Sequence, residues 1–455
     1  MRLEDAWRPV DEIADTTVDT FIYGVSRGDG LFYPSEVGRQ FGSDQLTFKA
    51  APYWRAWENM RTLLDQGVDP LTVLIDRSHQ NGMEFFASLR MGDTPGMPDE
   101  FKVDLGGRGY VHPELRAHQS AVLEELATRY AVDGVELDFA APPSGSSFSL
   151  KPEDVRKHTL TMTEFVRSAS DMVRGRPGGT GVVGVRVYPT EELNSKAGLD
   201  VRTWLNEGLV DFAVPLVYAF DVVDANMPIA WLVDAAHESD VSVYGMLQPY
   251  RREKERNYNR EYATPAMMRA AAANFWGAGV DGLYTWSLRW PLGDVERGIL
   301  TEMSDPDATK EGDKHYFLRR CHDSIADHDY GAFLPLQISS TETGRRYEIP
   351  FVIADDTHDH RACSVHLKIG VNNLVSADAL DVLLNGCSLS GETLRRTSFR
   401  SQLPYGGQWL EFDLESIRPR KGSNVLGVAL NGRPPGLLGS VTIEEVEICV
   451  QYTAS

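Results

Sequence analysis

The run Asp133-Gly-Val-Glu-Leu-Asp138 sets two carboxyl groups, Glu136 and Asp138, two residues apart. Side chains alternate across a β-strand, so the apolar set Val135, Leu137 and Phe139 faces one way and the acidic pair the other. In a barrel wrapped by helices the apolar set meets the helices. Glu136 and Asp138 then point into the lumen, with Asp138 nearer the C-terminal rim where barrel enzymes keep their catalytic groups. Carboxyls on such a face are costly unless paired or used. The same parity sends Phe85, Ala87 and Leu89 outward and Glu84, Ser88 and Arg90 inward. It also sends Val183, Val185 and Val187 outward and Arg186 and Tyr188 inward. Arg90 and Arg186 therefore flank the acidic strand and can keep a carboxylate ionised. For Glu136, a purely structural ion pair with one of these arginines competes with a catalytic role.

Paired carboxyls on a barrel rim are the equipment of glycosidic bond cleavage, about 5–5.5 Å apart for retention or about 6.5–9.5 Å for inversion, one of them protonated. Asp138 is expected to be the nucleophile or base. Its partner is sought among Glu191, Asp221, Asp29 and Asp93, in that order, and Glu191 leads because its strand adjoins that of Asp138. Arg90, Asp93, Arg186, Tyr188, Tyr218, Gln248, Tyr250, Trp286 and Asp29, all at or after strand ends, make the expected substrate-binding set, with Trp290 close behind. Aromatic faces stack on the C–H faces of sugars, and polar groups meet their hydroxyls. The two arginines make an acidic sugar such as a uronic acid a fitting substrate. Two other readings share the cleft. One is a non-catalytic carbohydrate-binding protein without a competent carboxyl pair; the other is a lyase or isomerase on an acidic sugar with Tyr188 or Tyr218 as base.

The elements that must position these residues read as an α/β chain. β-rich runs at Val18–Val25, Met83–Arg90, Gly134–Phe139, Val182–Tyr188, Asp211–Val217, Ser242–Leu247 and Gly282–Leu288 alternate with helical stretches such as His112–Tyr130 and Pro265–Ala278. The fold expected is a (β/α)8 TIM-type barrel over residues 1–305, one strand short because the chain opens on a helix, Leu3–Ile13. An upstream strand, an open barrel or a segment after residue 288 would account for the shortfall, and the first is favoured. Residues 306–335 read as a linker with a short helix around Tyr316–Ala326. Residues 336–455, with runs at Tyr347–Ile353, Ser364–Ile369, Asp381–Leu384, Trp409–Leu414, Asn424–Leu430 and Val441–Tyr452, read as an all-β sandwich or jelly roll.

The totals agree with two folded domains: 455 residues, 42% hydrophobic and 24% charged. Sixty-six acidic residues against 45 basic ones give a net charge of -21, which disfavours nucleic acid and anionic membranes as partners. The most basic run, Tyr250-Arg-Arg-Glu-Lys-Glu-Arg256, mixes both signs and reads as a solvated loop. Cys321, Cys363, Cys387 and Cys449 have no zinc-type spacing and are expected as buried free thiols. His358 and His360, among aspartates, read as a polar loop. No cofactor or metal is expected, and the partner expected is a carbohydrate substrate, with self-association left open. The first residues carry no apolar signal segment, so a cytoplasmic location is expected unless the natural start lies upstream.

Met83-Glu-Phe-Phe-Ala-Ser-Leu-Arg-Met-Gly-Asp93, His112-Pro-Glu-Leu-Arg116, Tyr130-Ala-Val-Asp-Gly-Val-Glu-Leu-Asp-Phe139, Gly184-Val-Arg-Val187 and Gly198-Leu-Asp-Val-Arg-Thr-Trp-Leu-Asn-Glu-Gly-Leu-Val-Asp211 together resemble the glycosyl hydrolase-like 10 family of bacterial barrel proteins, over roughly residues 15–290. The Asp-Gly-x-x-x-Asp form also resembles a strand motif of the alpha-amylase superfamily, whose final Asp is the nucleophile of a retaining mechanism. That resemblance carries over to Asp138 alone, since Glu136 stands where the superfamily usually has Arg. It implies a reaction class more than a substrate, and a sandwich that either binds sugar or buttresses the barrel.

Overall fold

A computed structural model describes residues 3–44, 47–140, 146–176, 181–217, 222–252, 261–286, 288–310, 312–320, 330–358, 362–398 and 407–452. The chain falls into two compact units. One comprises Met1–Ala219, Pro228–Tyr244 and Pro291–Thr301; the other comprises Phe220–Met227, Gly245–Trp290 and Glu302–Ser455.

Seven strands form one curled parallel sheet: β1 (Thr20–Gly24), β2 (Glu84–Arg90), β3 (Gly134–Asp138), β4 (Val182–Val187), β5 (Phe212–Pro215), β6 (Ser242–Leu247) and β7 (Gly282–Thr285). Their order in the sheet is their order in the chain, the singly wound arrangement of a barrel, with β1 and β7 at the ends of the path. Every expected strand is there. Among the described residues no segment after residue 288 adds a strand to this sheet; Asp294–Met303 and Pro306–Lys310 are helices. Among the described residues the parallel sheet has seven strands.

The central strands are buried on both faces, as parallel strands covered by helices must be; all five residues of β3 are buried. Helix Pro113–Arg129 buries Leu115, Val122, Leu123, Leu126 and Ala127, the stripe its spacing foretells. The lumen face begins with aromatic rings. Phe86 lies 5.7 Å from Phe212 at 74°, and Phe212 lies 5.4 Å from Tyr244. Two glycines make room for them. Phe86 pairs in register with Gly134 and Phe212 with Gly184, and a Cβ would sit 2.3 Å from the Phe86 ring at residue 134 and 1.9 Å from the Phe212 ring at residue 184.

The second unit holds two antiparallel sheets. One runs Lys314–Phe317, Val441–Tyr452, Ala362–Asn372, Gly407–Asp413, Thr393–Ser398, with Leu336–Ile338 also on Val441–Tyr452; the other runs Arg346–Ile353, Gly422–Gly432, Ala379–Leu384, Cys387–Ser388. The sandwich strands expected from alternation are present. Tyr316 is not helical as expected but lies in Lys314–Phe317, paired antiparallel with Val441–Tyr452. Residues 317–320 of that expected helix are not helical either, and residues 321–326 lie outside the described residues. Asp355, the first residue of the run read as a polar loop, is instead buried and accepts from Lys314 Nζ at 2.8 Å, from Tyr316 Oη at 2.6 Å and from the Tyr452 hydroxyl. His358 is exposed, and His360 lies outside the described residues. Arg251, read as part of a solvated loop, instead pairs with Glu445 at 3.1 Å and with Glu447. Cys387, exposed, and Cys449, half-buried, are free thiols. Cys321 and the side chain of Cys363 lie outside the described residues. Among the described residues no helix is long and apolar enough to cross a membrane, and no cluster of metal-ligating side chains occurs.

Candidate active site

The register of the parallel strands assembles the site. Ser88, Glu136 and Gly184 stand side by side across β2, β3 and β4, and Arg90, Asp138 and Arg186 do the same one step nearer the strand ends. Paired residues in register project to the same face, so the acids and arginines share the lumen face, as parity requires. Phe139, of the opposite parity, packs 5.2 Å from Trp204.

Glu136 is fully buried. Its Oε1 accepts from Ser88 Oγ at 2.6 Å and lies 2.8 Å from Arg186 Nη2. Burial pushes its carboxyl up, Arg186 opposes that, and the charge of Asp138 adds to it. Glu136 and Arg186 thus form a buried ion pair beside Asp138. Removing either partner of such a pair typically costs about 3–5 kcal/mol. Asp138 is 1% exposed. Its Oδ2 lies 3.4 Å from Arg186 Nη1, and its Oδ1 accepts from the Ala140 backbone N–H at 3.2 Å. Both contacts are long for bonds to a charged group, which leaves Asp138 less tightly committed than Glu136.

Asp93, in the loop after β2, is the second carboxyl of this region. The Ser26 hydroxyl donates to its Oδ2 at 2.9 Å, and its own backbone carbonyl accepts from Gln119 Nε2. Burial pushes its carboxyl up. Ser26, Arg90 and the Gly28 backbone pull it down, and the charge on Asp138 adds an upward push, leaving it at about 6. Tyr188, 4% exposed at the end of β4, has its hydroxyl pushed up by burial and by Asp138, so it stays protonated. Asn194 clamps this corner: its Oδ1 accepts from the Tyr188 N–H at 2.9 Å and its Nδ2 donates to the Tyr188 carbonyl at 2.9 Å.

Arg90, Asp93, Glu136, Asp138, Arg186 and Tyr188 are thus brought together in one unit. Glu191 is not. It is the first residue of helix Glu191–Ala197, half its side chain is exposed, and it pairs with Arg202, which holds its carboxyl below the usual range. A general acid at neutral pH needs the opposite. Asp29 pairs with Arg108 at 2.6 Å, and Arg108 in turn pairs with Asp99. Asp221 and Tyr218 lie outside the described residues. Gln248 and Tyr250, both buried, and Trp286, half-buried, belong to the other unit, where Tyr250 packs 5.0 Å from Tyr262. Trp290 is exposed there. Sequence reasoning missed Ser26 and Asn194. Strand parity speaks only within strands, and both lie beyond the strands that carry the carboxyls.

No protein-family model and no curated protein matches the chain. Among solved structures it is similar to a cycloisomaltooligosaccharide glucanotransferase from Paenibacillus sp., at 10% identity over 98% of this chain and 55% of that one, with a TM-score of 0.36. An alpha-L-fucosidase from Bacteroides thetaiotaomicron is 10% identical over 98% of this chain and 81% of that one, TM-score 0.39. A class V chitinase from Pseudomonas fluorescens is 12% identical over 51% of this chain and 84% of that one, TM-score 0.35. The chain spans little more than half the length of the glucanotransferase. The resemblance to the glycosyl hydrolase-like 10 family rests on the chain's own motifs alone.

Proposed function

We propose that the protein is a glycoside hydrolase that cleaves an O-glycosidic bond with Asp138 as nucleophile or base and Asp93 as general acid. The observation that carries this reading is the contrast between the two carboxyls. Asp138 is ion-paired with Arg186, while Asp93, one strand away and within reach of Asp138's charge, is raised to about 6. Environments that push two carboxyls apart separate the acid from its charged partner. In the reaction Asp93 gives its proton to the departing glycosidic oxygen. Asp138 attacks the anomeric carbon or takes a proton from the water that does, and water is added across the broken bond.

Arg186 is engaged by Glu136 and Asp138, and the charge of Arg90 bears on Asp93. The cation expected to meet an acidic sugar at Arg186 is therefore already committed, which favours a neutral sugar. Tyr188, held protonated, suits a hydrogen-bond donor to substrate and not the base of a lyase. One observation favours a different reading: the burial of Asp138 against Arg186 also suits a non-catalytic carbohydrate-binding barrel.

A screen of chromogenic and natural glycosides with the wild type, Asp138→Asn and Asp93→Asn separates the two. The hydrolase reading expects turnover that falls by at least about 100-fold in each variant, with the circular dichroism spectrum unchanged. Turnover that survives both substitutions, or wild-type binding without turnover, would leave the non-catalytic reading standing.

A further inference from the structure

We propose that Arg108 is a positioning residue for Asp93: it clasps the hairpin that carries Ser26 to the loop that carries Asp93, and so keeps the Ser26 hydroxyl on the Asp93 carboxyl. The value of this clasp to catalysis rests on the hydrolase reading above; the clasp itself does not.

Ser26–Arg27 and Gly30–Leu31 pair antiparallel across the two-residue turn Gly28-Asp29. Gly28 has φ +60°, a left-handed conformation that glycine adopts at little cost, so the chain can reverse this tightly. The base of the hairpin is fixed, since the Val25 N–H donates to the Ser88 carbonyl at 2.9 Å and Leu31 is fully buried. Ser26, also buried, donates to Asp93 Oδ2 at 2.9 Å. The turn reaches the residue after the acid, where the Gly28 carbonyl accepts from the Thr94 N–H at 3.2 Å.

Arg108 holds the tip. Its Nη1 donates to Asp29 Oδ1 at 2.6 Å and to Thr94 Oγ1 at 3.2 Å, its Nη2 to Asp99 Oδ1 at 2.7 Å, and its Nε to the Pro98 carbonyl at 2.9 Å. Its side chain is only 10% exposed. A guanidinium can hold such a spread of acceptors because its donors form a rigid planar fork. Thr94, Pro98 and Asp99 all belong to the loop after β2, so Arg108 ties that loop to itself and, through Asp29, to the hairpin. Both tethered pieces bear on Asp93. The groups that act on its carboxyl are the Ser26 hydroxyl and the Gly28 backbone from the hairpin, Arg90 from β2, Asp138 from β3 and the Tyr110 phenol, which burial keeps protonated. Arg108 works through the first two. A donated hydrogen bond stabilises the ionised carboxylate, so loosening the hairpin should let Asp93 keep its proton to higher pH.

Carboxyl 13C spectra of the full chain labelled at aspartate test this, with the Asp93 resonance identified as the one missing in Asp93→Asn. Its titration midpoint should move from about 6 in the wild type to about 7 or above in Ser26→Ala, the scale expected when a hydrogen bond to a charged group is lost. Arg108→Met should move it the same way by at least about half as much, and should add little once Ser26→Ala is present. Asp29→Ala cuts the clasp at its other end, on a partly exposed side chain. Removing the Asp29 charge by itself lowers the midpoint, whereas opening the clasp raises it. The proposal is overturned if the midpoint keeps its wild-type value in Arg108→Met, if it falls in Asp29→Ala, or if the Arg108→Met and Ser26→Ala shifts add in full. Turnover is read separately. Loss of turnover in Asp93→Asn with an unmoved midpoint in Arg108→Met sinks the clasp and spares the hydrolase. A midpoint that moves as expected, in a protein that cleaves no glycoside, does the reverse.

Discussion

At the residue scale, the acid role proposed for Asp93 rests on surroundings that raise its carboxyl to about 6. As the general acid it must be protonated, so kcat/KM is expected to fall as pH rises through about 6. The same shift has a sign in stability. A carboxyl whose folded value exceeds its unfolded one favours the folded state at low pH, and that contribution is lost as pH rises toward the folded value. Asp93→Asn should therefore raise the melting temperature at pH 7.5 while abolishing acid catalysis, and the gain should vanish near pH 3. Thermal melts at the two pH values check this; an Asp93→Asn variant less stable than wild type at pH 7.5 would contradict it. Parity made Glu136, Asp138, Arg90 and Arg186 legible in the sequence, since all four lie within regular strands. Glu191 was ranked first not by parity but because its strand adjoins that of Asp138, and it lies past the strand end. There Thr190 caps a new helix and Glu191 sits in its first turn, turned out to Arg202.

At the scale of elements, the strands β2 to β5 hold the site at its height because rings fill the lumen beside them. Gly184 stands where Phe212 must pass, so Gly184→Ala drives a methyl group into the ring. Overpacking of this kind costs about 1–3 kcal/mol. Urea unfolding should show a loss of that size, and Phe212→Leu in the same chain should recover part of it; an unchanged midpoint for Gly184→Ala would refute this view of the lumen. The strands could be read from the sequence because two-sided burial writes them as runs of Val, Leu and Phe. Lys314–Phe317 was misread because a buried lysine breaks the apolar alternation; its Nζ is held by Asp355 and by the Lys310 and Gly312 carbonyls, none of which the alternation reveals. Thr393–Ser398 gave no signal, being exposed along its whole length.

For the whole molecule, alternation of strand and helix followed by all-β runs was enough to read a barrel-type sheet and a sandwich. The pairing of carboxyls was not, because it depends on how loops fold back over strand ends. Ser26 meets Asp93 across 67 residues of sequence, and no local pattern encodes that. The central claim is that Asp93 donates the proton that releases the leaving group. The most direct measurement is kcat/KM of Asp93→Asn on two glycosides of one sugar, one with a dinitrophenyl and one with an alkyl leaving group. The account predicts a loss of at least about 100-fold on the alkyl glycoside and a far smaller one on the dinitrophenyl glycoside, which leaves without a proton. Equal losses on both, or none on either, would contradict it.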